Sequence, residues 1–277
     1  MIVAGATVRV TGSGLGCPDW PTCHGQLLPP LEFTAIVEYT HRLLGAMTSA
    51  FILAVPFSGL MSRRERRFLI PALALPALLA LQIALGALVV RLELDPLAVL
   101  IHLGFALLIL GGMVWLTVLE APGIADRRPA GAPPALLRWL AGLAVMTFAL
   151  ILAGGVTRAS GASWACRSFP GCNAPVEALA ATGDPQLLVA IHHTHRGLAY
   201  LVAVGAVWAA VAVWRQRAGT VRTAALALVG AVIIQITLGA LAVNLGLPAA
   251  LRGAHVAGAA AVWAAAVTLV SLEARGT

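Results

Sequence analysis

The sequence predicts an all-α integral membrane protein: eight transmembrane helices in two parallel, pseudo-symmetric four-helix bundles. Three observations predict it. The chain is 60% hydrophobic and only 10% charged, where soluble domains carry about 25% charged residues. Long apolar runs alternate with short polar loops, as expected of helices that each need about 20 residues to cross a bilayer. Finally, the chain is written twice. Gly5 to Cys23 reads GATVRVTGSGLGCPDWPTC, and Gly154 to Cys172 reads GGVTRASGASWACRSFPGC. This offset matches Arg9 to Arg158, Gly12 to Gly161, Cys17 to Cys166, Pro21 to Pro170 and Cys23 to Cys172. A second block, QIALGALVVRL from Gln82, returns as QITLGALAVNL from Gln235.

The apolar runs place helices at 1–10, 38–60, 68–90, 98–119, 138–157, 187–212, 224–244 and 252–271. Ten residues rise only about 15 Å, half of a hydrocarbon core, so the first helix is expected to be truncated, with its start upstream of Met1. Each half holds four helices, so both copies enter the membrane in the same sense and the repeat is parallel. The expected divisions are an N-terminal bundle over 1–120, a linker over 121–137 and a C-terminal bundle over 138–277. The linker rests on the Pro/Gly/Ala-rich stretch Ala121 to Pro134.

The net charge of +7 comes from 18 basic residues, all of them Arg. It calls for no nucleic-acid partner, because the arginines cluster in alternate loops: Arg63, Arg64, Arg66 and Arg67; Arg127, Arg128 and Arg138; Arg215, Arg217 and Arg222; and Arg275. Positive loops stay cytoplasmic. Both termini are then inside, and the cysteine loops 11–37 and 158–186 are outside.

With this topology His41, His102, His195 and His255 all lie in the outer half of even-numbered helices. In each half the two histidines come from helices two apart, which can face each other across a bundle core. Two imidazoles across an apolar slot, without nearby thiolate or carboxylate ligands, suit a six-coordinate haem iron. Zinc wants three or four protein ligands. The competing reading is polar side chains bonding between helices; pairing and repetition favour ligation. His24 has no repeat partner and reads as a surface residue. His192, one turn before His195, reads as a support to the ligand or a ligand alternative, and His193 is unassigned.

Arg follows each helix-2 histidine, as Arg42 and Arg196. A haem in an outer slot would turn its propionates outward, where Arg forms paired charge-assisted bonds. Arg9 and Arg158 fit that role or simple snorkelling to the interface. Glu38 shares a helix face with His41, while the second half has His192 there. An ionisable group beside a ligand candidate in a membrane helix is read as functional, so the N-terminal half is the better candidate for proton-coupled chemistry. The other half reads as an electron-transfer station. Gln82 and Gln235 either bond between helices or approach the cofactor.

Cys17 and Cys23, like Cys166 and Cys172, are separated by five residues on the side expected to be oxidising, so two disulfides are expected. They are structural staples or redox-active pairs. C-x-x-C-H is absent, which argues against covalently attached haem.

Together these residues resemble the haem A synthase family of bacterial and mitochondrial membranes. The likeness rests on TGSGLGCPDWPTCHG at Thr11, EYTHR at Glu38, IHLG at Ile101, THRG at Thr194 and AHVAG at Ala254. It implies a plasma-membrane enzyme of two four-helix bundles that converts the C8 methyl of haem O to a formyl group by successive hydroxylation and loss of water. It also implies that His195 and His255 hold haem b and its iron, while His41 and His102 address haem O, with Glu38 important for catalysis. The paired cysteines of the two outer loops match as well. Haem O synthase, a membrane electron donor and a second copy of the chain are the candidate partners. Two other classes compete: a di-haem b-type cytochrome carrying electrons from quinol to an outer partner, and a haem or lipid transporter. A transporter's path should cross the bilayer midplane, whereas these histidines lie towards one side.

Overall fold

A computed structural model describes residues 1–121, 134–174, 180 and 183–275. Among them are eight α-helices and no strand beyond one isolated bridge, Cys23–Gln26. The helices are α1 (Ile2–Val10), α2 (Phe33–Met61), α3 (Arg66–Arg91), α4 (Pro96–Glu120), α5 (Pro134–Ala159), α6 (Pro185–Gln216), α7 (Thr220–Asn244) and α8 (Ala249–Ala274). Seven of them, all but the nine-residue α1, are long and apolar enough to cross a membrane. They run past the apolar stretches at both ends, except α7, which is longer only at its start, because polar residues such as Arg66, Arg67 and Arg91 continue the helix. Of the expected linker, 122–133 lie outside the described residues, with Arg127 and Arg128, and its last residues begin α5. Residues 175–179 and 181–182 of the second outer loop also lie outside them.

Large apolar side chains cover the outside of these helices. On α2, Phe51 is 71% and Phe57 66% exposed; on α6, Val204 is 69% exposed. Water would penalise such a surface, and lipid does not. Helices remain the natural spanning elements because every backbone hydrogen bond is satisfied within the segment.

The chain divides into two compact units, Met1–Leu116 and Thr117–Thr277. In the second, α5 packs on α6 and α8, and α7 packs on α6 and α8, which closes a four-helix ring. Its core is Leu140, Leu143, Thr147, Val202, Ala206, Ala209, Val213 and Leu228. Small residues allow close approach: a Cβ on Gly205 would stand 2.8 Å from Leu143 Cδ1. At one end of this ring, Arg217 forms a two-pronged ion pair with Glu273, whose Nε–Oε2 arm is 2.9 Å. In the first unit α2 packs on α1 and α3, and Leu75 of α3 lies against Gly112 of α4.

The repeat is visible in local backbone. Gly12 (φ +68°) and Gly161 (φ +80°) take the left-handed conformation just after α1 and α5, the position where a helix most often needs glycine. The α3–α4 turn places Glu93 and Leu94 at positive φ, and the α7–α8 turn does the same with Gly246 and Leu247. Asp95 caps α4 by accepting from the Leu97 and Ala98 N–H groups at 3.0 and 2.9 Å. Asp184 caps α6 through the Gln186 N–H at 2.9 Å. Each cap is followed by Pro at the first helical position, where its missing N–H costs nothing.

Candidate functional site

Each unit brings its two predicted histidines together. His41 (α2) is within electrostatic reach of His102 (α4), and His195 (α6) within that of His255 (α8). All four are partly buried, and the Nδ1 of each is buried without a hydrogen-bond partner. The neighbouring helix offers each ring a glycine. The edge atom Cε1 of His41 lies over Gly5 of α1, that of His102 over Gly86 of α3, that of His195 over Gly154 of α5 and that of His255 over Gly239 of α7.

Gln82 and Gln235 stand one turn before two of these glycines. Gln82 Nε2 is 3.2 Å from His102 Nε2. Gln235 Nε2 is 3.3 Å from His255 Nε2 and also donates to the His255 carbonyl at 2.9 Å. The open question about these glutamines resolves to contact with a histidine ring in each unit. In both rings the glutamine occupies Nε2, and Nδ1 is the nitrogen left without a partner.

Glu38 is buried, at 3% exposure, one turn from His41. Its Oε2 accepts from the Cys17 N–H at 2.9 Å, and its Oε1 accepts from Arg42 Nη2 at 2.6 Å. Arg42 donates further to the carbonyls of Cys17, Asp19 and Thr22 at 2.8, 2.7 and 2.8 Å. Arg196 does the same in the second unit, reaching the carbonyls of Ser168 at 2.8 Å and Gly171 at 2.7 Å and lying over the Phe169 ring. Both arginines thus clamp an outer cysteine loop to the helix that carries a histidine. His192, which stands where Glu38 does in the repeat, donates Nδ1–H to the Ala162 carbonyl at 2.8 Å.

Both expected disulfides are formed, Cys17–Cys23 and Cys166–Cys172. Their surroundings differ. Cys17 and Cys23 are wholly buried, with Tyr39 packed against them. Cys172 is half-buried, and the exposed His193 lies beside its bridge. Among the described residues Cys166, Cys172 and His193 also form the one set of three potential metal ligands, within 4.8 Å of one another, but its sulfurs are bonded together. His24 is exposed, as expected, and bonds through Nε2 to the Gly16 carbonyl at 2.9 Å. Asp19 accepts from the Thr22 hydroxyl and from the His24 and Gly25 N–H groups. The Thr22 bond, then the Gly25 bond, hold its carboxyl down to about 2.

Two features escaped the sequence reading. The glycine contacts are one. The other is Arg252, one turn before His255, whose buried Nε has no partner, like that of Arg9. The i, i+3 spacing of Arg252 to His255 was the available signal.

The chain matches the COX15-CtaA family, described as cytochrome oxidase assembly protein, over residues 1–37 and 31–267. It is 29% identical over 179 residues to the "Heme A synthase" of Bacillus licheniformis, covering 62% of this chain and 59% of that protein. It is 33% identical over 180 residues to the "Heme A synthase" of Symbiobacterium thermophilum, with the same two coverages of 62% and 59%. The "Heme A synthase" of Bacillus pumilus is 30% identical over 184 residues, again at 62% and 59%. The matched stretches therefore span about 59% of these relatives' length.

Proposed function

The chain belongs to the COX15-CtaA family of cytochrome oxidase assembly proteins, and from that premise we propose that it is a haem A synthase, a membrane oxidoreductase that takes the C8 methyl of haem O to a formyl group by successive hydroxylation and loss of water. His195 and His255 hold haem b as resident cofactor, and His41 and His102 address haem O as substrate. The observation that carries this reading is the convergence of the histidines, two in each unit, on glycine-floored positions.

The residues fit a haem in kind. A haem iron takes axial imidazoles and leaves the rest of its coordination to the porphyrin. Each paired ring here keeps a buried nitrogen without a partner. Arg9 and Arg252, each with a buried Nε lacking a partner, supply donors suited to a propionate carboxylate. When bound, haem b would supply one-electron transfer, and the oxidant that takes the methyl to a formyl group comes from outside the chain.

The remaining work falls to the chain. Glu38, one turn from His41, is the proposed proton acceptor for the oxidised carbon. Its bonds to Arg42 and the Cys17 N–H fix the carboxylate against the disulfide loop that covers this end of the unit. The second unit has a neutral-capable imidazole, His192, in that place, which suits a site for electron transfer alone. The Arg-rich loops and both termini are cytoplasmic in this reading. The disulfide loops are then outside, where an oxidising compartment preserves them. Haem O synthase is the proposed source of substrate, together with a membrane electron donor and a second copy of the chain as partners.

The likeness of the two histidine pairs favours one other reading, a di-haem b-type electron carrier. Haem stoichiometry separates the two. The protein purified from a host without haem O should retain one haem b per chain, and added haem O should bind and wash out again. Two haems b per chain, neither exchangeable, would support the carrier.

A further inference from the structure

We infer that Gly5, Gly86, Gly154 and Gly239 are seats that set the ring planes of His41, His102, His195 and His255. The inference rests on the reading of these histidines as haem ligands.

A Cβ on Gly154 would stand 2.9 Å from His195 Cε1, and one on Gly239 would stand 3.0 Å from His255 Cε1. Non-bonded carbons settle at about 3.5–4.0 Å. Neither position has room for a methyl group unless the ring shifts. The contact falls on Cε1, the atom between the two ring nitrogens, so any shift redirects both nitrogens at once.

The glutamines provide a second, independent hold. Gln82 and Gln235 grip Nε2 of His102 and His255, while the glycine one turn later meets the adjacent Cε1. One face of α3 and one face of α7 therefore pin two neighbouring atoms of a ring borne by the next helix. The same Gln-x-x-x-Gly spacing stands in both halves of the sequence. Two other glycines on the seat-bearing helices have no such contact: a Cβ on Gly142 of α5 or on Gly230 of α7 would meet nothing within 4 Å.

The seats are graded. In the N-terminal unit both clearances are 3.3 Å, against 2.9 and 3.0 Å in the C-terminal unit. A resident cofactor gains from ligands held in one orientation, because the rings are then pre-organised.

The test is a set of purified full-length variants read by haem b per chain, the low-spin visible and electron paramagnetic resonance spectra, and titration with haem O. Gly154→Ala and Gly239→Ala are expected to lose at least fivefold in haem b or to shift the low-spin signature. Gly142→Ala and Gly230→Ala are expected to stay within twofold of the parent with an unchanged spectrum. Gly5→Ala and Gly86→Ala are expected to keep haem b and to bind haem O at least threefold more weakly. That arm remains readable if the C-terminal variants fail to fold. Normal haem b with an unchanged spectrum in Gly154→Ala and Gly239→Ala, equal losses in the two control variants, or unchanged haem O binding in both N-terminal variants would each overturn the inference. His195→Ala is measured alongside. Loss of haem b there with no effect at the glycines overturns the seats alone, whereas retention of haem b there overturns the ligand reading beneath them.

Discussion

Arg42 donates to Glu38 at 2.6 Å across one turn of α2, and the same guanidinium holds three carbonyls of the first outer loop. The pair is almost dry, with side chains 15% and 5% exposed. Removing one member of such a pair strands the other charge, at a cost of about 3–5 kcal/mol. Arg42→Ala is therefore expected to lower the thermal midpoint and to open residues 11–26 to proteolysis. Lysine cannot reproduce a planar, multidentate donor, so Arg42→Lys should recover little of the loss. Glu38→Gln also removes one charge of the pair, but it keeps an oxygen for the Cys17 N–H and leaves Arg42 its three carbonyls, so it should lose less than Arg42→Ala and still fold. A thermal scan with limited proteolysis checks all three.

The two disulfides should differ in accessibility to reductant. Thiol exchange needs the attacking thiolate to reach a sulfur. Cys17 and Cys23 are wholly buried, with Tyr39 packed against them, while Cys172 is half-buried beside an exposed imidazole. In graded dithiothreitol followed by alkylation and mass spectrometry, Cys166–Cys172 should open at least several-fold faster. Equal rates would show that the first loop opens as a unit, contrary to its clamping by Arg42.

Acid should loosen the first loop through Asp19. Its carboxyl is held down to about 2 in the folded loop by the Thr22 hydroxyl and neighbouring N–H groups, against about 3.9 for an unperturbed Asp. A depressed folded value means the stabilising contribution is complete above about pH 4 and is lost as pH falls towards 2. Hydrogen exchange of residues 17–26 should accelerate across that window. Asp19→Asn should flatten the dependence attributable to this residue.

At the end of the second unit the Arg217–Glu273 ion pair is 5% and 2% exposed. Arg217→Ala should cost about 3–5 kcal/mol by leaving Glu273 buried and unpaired. The double replacement Arg217→Met with Glu273→Leu should be far milder, because it removes both charges together. Thermal midpoints of the single and double variants check this, and haem b content of the double variant should remain normal.

Hydropathy and internal identity made the eight helices, the pairing of His41 with His102 and of His195 with His255, and both disulfides legible in the chain itself. These rest on side-chain chemistry that a sequence displays directly. The clamping role of Arg42 and Arg196 was hidden because their partners are backbone carbonyls, which leave no trace in residue identity. The glycine seats were hidden for a related reason. Gly154 and His195 are 41 residues apart, and only the crossing of α5 and α6 shows that a missing methyl group makes room for a ring. Tyr39 and His193 occupy matched places in the repeat, yet the different exposure of the two bridges depends on packing that identity alone does not encode.

The most direct measurement of the central claim is haem extraction after expressing this chain beside a haem O synthase in a host that makes no haem A. Chromatography with mass spectrometry then shows which haems are present. The account predicts haem A or its hydroxylated precursor, abolished by Glu38→Gln while that variant still carries haem b. Unchanged haem O, with two haems b firmly held per chain, would contradict it.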